Sequence, residues 1–149
     1  MKTLSSVAVA AVLMLNIQAP LAKTAAEAKP QTKPKTAQGY LNEIVSPKDL
    51  KNIHVQKLAS DKNSSDFVVF IKHNVPLHQH LTHSETVYVL EGTGVFQYGD
   101  EKVIIGPGHY IKIPQGTPHG VTVTSAIPLK VLSIQAPEFF GKDRIAVKP

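Results

Sequence analysis

An all-β fold, a sandwich or barrel of short strands, is what this sequence predicts, on three observations. Short runs rich in Val, Ile, Tyr, Phe and Thr recur from residue 53 onward. Gly, Pro, Asp and Asn separate them at close intervals, the pattern of strands joined by tight turns. No gap between runs has room for the crossover helices of a parallel sheet.

Taken in order, residues 41–51 carry Ser46, Pro47 and Asp49, residue types of a helix start, and predict a helical turn or short helix. Strands are expected at 53–58, 67–72, 86–91, 95–98, 102–105, 110–113, 121–124 and 129–135. Gly92, Gly94, Gly106, Gly108 and Gly116 fall between these runs, where turns call for positive φ. Pro114 and Pro118 stiffen the loop that leads to His119. Composition and spacing alone do not choose between a jelly roll and other all-β folds.

The segment before this domain is of another kind. Lys2 and an apolar run from Val7 to Leu15 have the order and length of a signal peptide, with small residues following. Ala22 is the expected cleavage point, giving a signal peptide over 1–22. The run is short for a membrane span, and the absence of cysteine excludes a lipoprotein anchor. Residues 23–38, KTAAEAKPQTKPKTAQ, hold no aliphatic or aromatic core residue larger than Ala and, with Pro30 and Pro34, read as a solvated, semi-stiff linker. The folded domain then spans 39–149, and the expected location is periplasmic or secreted.

Charge follows the same division. Of the formal +5, the linker carries most, through Lys23, Lys29, Lys33 and Lys35 against Glu27. The domain balances ten Lys and one Arg against ten acidic residues. Nucleic-acid binding requires a basic patch on the domain itself, so this class ranks low. Without cysteine there is no disulfide, thiolate metal site or thiol nucleophile.

Chemistry concentrates in the histidines. Five of the seven, His78, His80, His83, His109 and His119, cluster in the middle of the domain, with Glu85 among them. Neutral imidazole with a carboxylate companion suits zinc, manganese, nickel, copper or iron. On a strand, His78 and His80 project from one face, Glu85 opens the next strand, and His119 opens one much later. Convergence of these strand ends would supply three nitrogens and one oxygen to one divalent ion. His54 and His73 read as ordinary surface or hydrogen-bonded residues. His83 lies in the bend between His80 and Glu85, where it is a candidate ligand, supporting group or proton shuttle at the mouth. A non-ligand acid or base is sought first at His83, then at His109 and Tyr110. Tyr88, Phe96 and Gln97 are further candidates for pocket lining. Ser84, beside His83 and Glu85, lacks the context of a hydrolase nucleophile, since adjacent strand residues face opposite ways.

These residues resemble the two motifs of the cupin superfamily. The first is carried by His78-Gln79-His80, four residues, Glu85, six residues and Gly92; the second by Gly108, Pro114-Gln115-Gly116 and His119. Two positions depart from the pattern, Lys72 where Gly is expected and Val123 where Asn is expected; neither is a ligand position. Over about residues 66–136, the resemblance implies a single cupin-type jelly-roll barrel of the small bacterial kind, often dimeric, with the metal inside on His78, His80, Glu85 and His119. It implies a small-molecule ligand or substrate, and covers isomerases, lyases and dioxygenases as well as proteins that only bind or sense. Inward alternation from Glu85 through Val87 and Val89, and from His119 through Val121 and Val123, gives an apolar lining that keeps the binding reading open.

Overall fold

The computed structural model describes residues 38–148. The expected signal peptide and all of the linker but Gln38 lie outside the described residues. Among those described, no helix is long and apolar enough to cross a membrane.

The domain is built from ten antiparallel strands: β1 (Ile53–Ser60), β2 (Ser65–Ile71), β3 (Asn74–Gln79), β4 (Ser84–Glu91), β5 (Gly94–Tyr98), β6 (Glu101–Ile105), β7 (Tyr110–Ile113), β8 (His119–Val123), β9 (Leu129–Ala136) and β10 (Ile145–Ala146). They form two five-stranded sheets, ordered β1-β2-β9-β4-β7 and β10-β3-β8-β5-β6. All eight expected strands are present. The strand expected to carry His78, for which no bounds were read, is β3, and it ends at Gln79; β10 was not expected and pairs with it at Gln79↔Ile145 and His78↔Ala146. The helix expected in 41–51 reduces to one 3-10 turn at Leu41–Glu43 and a turn in which Leu50 N donates to Pro47 O (3.2 Å).

Alternation fixes the inward face. Val87 and Val89 on β4, Val121 on β8 and Leu129 and Val131 on β9 point into one core with Ile71, Phe96, Ile105 and Ile113. The outer face of the first sheet buries Lys130, which donates to Glu91 Oε1 (2.8 Å) and lies over the Phe70 ring. Two glycines are required by geometry. Gly92 has φ +76°, and a Cβ there would meet Pro128 O at 2.8 Å; at Gly120 a Cβ would meet Val75 O at 2.8 Å, so only glycine lets β8 lie against β3 beside His119. Gly94 and Gly106, expected at positive φ, have ordinary backbones; a Cβ at Gly94 would instead crowd Thr122 O at 2.9 Å.

Candidate metal centre

Register brings the cluster together. His78 on β3 is the cross-strand partner of His119 on β8. Glu85 enters from the opposite sheet, paired with Ile113 on β7 and Gln135 on β9. His80 lies one residue beyond β3, at the start of the bend. One ligand atom from each of His78, His80, Glu85 and His119 lies within 4.8 Å of all the others, and all four residues are buried. Metal–ligand bonds of ~2.0–2.2 Å require only that these atoms close slightly inward.

Backbone carbonyls set the ring orientations. Nδ1 of His78 donates to Pro76 O (3.0 Å) and Nδ1 of His119 to Thr117 O (2.9 Å). Nδ1 of His80 donates to Asp143 O. A carbonyl only accepts, so each Nδ1 carries the hydrogen and each Nε2 turns a lone pair inward. Such outer-shell bonds are the usual support of metal-ligating imidazole. Glu85 Oε1 accepts from Ser133 Oγ (2.5 Å). Its Oε2 lies 3.1 Å from His119 Nε2 and 3.4 Å from His80 Nε2, and the latter nitrogen is buried without a hydrogen-bond partner. Lone pairs facing a carboxylate at this range require a proton or a cation between them. The donor set fits a divalent transition ion.

The charge states agree. Burial, assisted by the His119 ring and the Arg144 guanidinium nearby, pushes His78 down to about 4, so its ring is neutral at neutral pH. Burial also works against a charge on His80, but the Glu85 carboxylate and the Asp143 carbonyl outweigh it and raise His80. Burial alone would raise Glu85; the imidazoles of His119 and His80 beside it and the Ser133 hydroxyl instead hold it well below the usual carboxylate range.

Around the cluster is a cavity of about 200 Å³ lined mainly by aliphatic and aromatic side chains, among them Val69, Val87, Phe96, Val121 and Val131. Phe96 stacks near the His119 ring (6.3 Å, 21°). The C-terminal segment closes one side. Phe139 meets His80 edge-on at 5.8 Å, and its N donates to the buried Ser65 Oγ (3.0 Å). Asp143 accepts from Leu81 N (2.9 Å), Thr82 N (2.8 Å) and Thr82 Oγ1 (2.7 Å).

His83 belongs to this clasp. Its Nδ1 is 2.6 Å from Asp143 Oδ2 and its Nε2 is 3.0 Å from Glu138 O. It is buried beside Phe139 (5.2 Å), and it is not among the cavity-lining residues. His109 and Tyr110 are corrected outright as pocket acids or bases. His109 is exposed and accepts from Gly106 N (3.0 Å). Tyr110 is 64% exposed and pairs with Tyr88 on the outer surface, because alternation from Glu85 and Ile113 turns both tyrosines outward. Ser133 and Gln135 were missed as site residues. They occupy inward positions after Leu129 and Val131, and two polar residues continuing an apolar stripe are a readable signal. Phe139, Asp143 and Arg144 gave none, since only long-range pairing brings them to the site.

A two-sheet antiparallel barrel with three histidines and a glutamate converging inside defines a β-barrel protein with a cluster able to hold a metal ion. Residues 68–135 match the cupin domain family. An uncharacterized protein of Aquifex aeolicus is 34% identical over 110 residues, covering 72% of this chain and 90% of the relative. This chain belongs to the cupin superfamily. Solved structures share the fold. A Klebsiella pneumoniae protein with a double-stranded β-helix domain has TM-score 0.65 at 18% identity, covering 76% of this chain and all of its own. Pac13 of Streptomyces, a nucleoside dehydratase, has TM-score 0.60 at 22% identity, covering 76% of this chain and 92% of its own.

Proposed function

We propose that this chain is an exported, metal-dependent cupin enzyme, holding one divalent transition ion on His78, His80, Glu85 and His119 and acting on a small oxygen-rich molecule. The observation that carries this reading is the inward turn of three Nε2 lone pairs beside one carboxylate, with His80 Nε2 left unpartnered. A bound ion there supplies Lewis acidity, suited to isomerisation, elimination or oxygen chemistry. The chain's own part is to orient the imidazoles through Pro76, Asp143 and Thr117, to keep Glu85 ionised through Ser133, and to exclude water with Phe96 and Phe139. A dehydratase on the same fold is in keeping with elimination.

A second reading, a binding or sensing module, is favoured by one observation: beyond the ligand set, the lining among the described residues offers only Ser133, Gln135 and Arg144 as polar side chains. His83, the first candidate for proton transfer, has both ring nitrogens engaged by the clasp. Elemental analysis of the full chain purified without added metal tests the site. About one transition ion per chain supports it; none, with none taken up from added zinc, manganese, nickel, copper or ferrous iron, refutes it. Incubating the loaded protein with sugar acids and keto acids in D₂O separates the readings. Deuterium incorporation supports an enzyme, whereas ligand-dependent NMR shifts without incorporation support the binding module. Export is tested by N-terminal sequencing of the protein recovered outside the cytoplasm, where a start at Lys23 is expected.

A further inference from the structure

Two polar side chains of the cavity take no part in holding the four ligand residues. Gln135 is the cross-strand partner of Glu85, so both point into the barrel. It is 8% exposed and lines the cavity, yet its Oε1 is buried without a hydrogen-bond partner. An amide oxygen kept there without a donor is costly, and none of the described residues supplies one. Arg144 is exposed and also lines the cavity, which places it at the rim. Among the described residues it makes no ion pair.

The local carboxylates are committed elsewhere. Asp143, next to Arg144, aims its oxygens at Leu81, Thr82 and His83. Among the described residues, Glu85 is the one carboxylate lining the cavity, and its oxygens face Ser133 and His119. A free guanidinium, together with a divalent ion, faces a single carboxylate, so the site draws anions. Size limits them: about 200 Å³ is below the ~300–1,000 Å³ of sites for drug-sized ligands. Val69 and Val131 leave no partners for a ligand with many hydroxyls.

We propose that Arg144 and Gln135 read a small 2-hydroxy acid, the guanidinium pairing with its carboxylate and the Gln135 amide oxygen accepting from its hydroxyl. This deepens the proposed function by naming the substrate class, and it rests on that reading.

Calorimetric titration of the zinc-loaded full chain with lactate, lactamide and pyruvate tests it. Lactate binds. Lactamide, which lacks the charge, and the Arg144→Leu variant each weaken binding about 10- to 100-fold. Pyruvate, which lacks the hydroxyl donor, and Gln135→Leu weaken it by a smaller factor. Both variants retain the wild-type zinc content, so the loss belongs to the ligand. Failure of lactate to bind, equal binding of lactate and lactamide, or wild-type lactate affinity in Arg144→Leu overturns the inference and leaves the metal centre standing. A wild-type chain that takes up no zinc or other transition ion overturns the functional reading, and this inference with it.

Discussion

The two ends of the barrel interior are built by the same strands and do opposite things. β4 carries Glu85 at one end and Val87 and Val89 further along; β8 carries His119, then Val121; β9 carries Leu129 and Val131, then Ser133 and Gln135. The backbone alternation is unchanged throughout, and only the side-chain chemistry switches. At the apolar end, burial stabilises through exclusion of water and close packing. At the polar end, four ionisable groups and an unpartnered amide are buried, which costs stability unless something binds between them. Stability and function are thus segregated along each strand, the usual relation between a site and its scaffold.

The largest expected effect breaks the polar end. His78→Ala/His119→Ala removes a cross-strand ligand pair, and transition-metal content is expected to fall from about one ion per chain to none. Far-UV circular dichroism is expected to keep the β signature, because the scaffold lies elsewhere. Metal retained in the double variant would show that the cluster is not the site. The converse change, Leu129→Ala, acts on a fully buried side chain of the core. It should cost about 2–5 kcal/mol of stability in denaturant titration, while the folded fraction still takes up metal. Loss of metal from folded Leu129→Ala would mean that the two ends are coupled.

Sequence patterning reached the apolar end more completely than the polar one. Strands declare themselves through local alternation, and all eight expected runs are strands. The bounds of β3 were hidden because Pro76 and the polar residues of Asn74–Gln79 weaken its strand signature, although the spacing of His78 and His80 pointed to a strand there. β10 is two residues long and exists through its pairing with β3. The four clustered ligand residues were legible because their spacing matches two motifs; their Nδ1 partners are carbonyls, which carry no residue-type signal. Asp143 and Arg144 reach the site from a segment without periodicity, across more than 60 residues from His80. The same lack of tertiary information let His109 and Tyr110 stand as candidates beside His83.

Acidification should affect the two ends differently. His80 is raised above the ordinary 6.5 by Glu85 and the Asp143 carbonyl against the opposing effect of burial, so the metal-free site holds a proton there at mildly acidic pH. A ligand nitrogen must lose its proton to bind metal. Metal affinity is therefore expected to weaken as pH falls through the raised His80 value, with His78 adding no further loss until about 4. In the metal-free fold the signs differ. Charged His80 contributes stability that is fully present below 6.5 and fades as pH rises through its folded value. Depressed His78 subtracts stability as pH falls from 6.5 towards about 4. The inward apolar residues do not titrate, so the cost of Leu129→Ala should not change with pH. Metal titrations and denaturant curves across this range check both statements, and a pH-independent affinity would contradict the first.

The smallest expected effect lies outside the barrel altogether. His109 is a histidine in the same stretch of sequence as the ligands, and by residue type alone it competes with them. In the fold it stands on the exterior, where its exposed ring accepts from Gly106 N at 3.0 Å in the turn before β7. Such a bond orders a surface turn, and surface changes of this kind stay within about ±0.5 kcal/mol. His109→Ala is expected to leave metal stoichiometry and affinity unchanged and to shift the unfolding midpoint only slightly. If the variant loses metal, the inward-facing rule that sorts His78, His80 and His119 from the remaining histidines fails, because a ring on the exterior would then be controlling the interior. If it behaves as wild type, what separates a ligand from a surface histidine in this chain is whether its ring turns into the barrel.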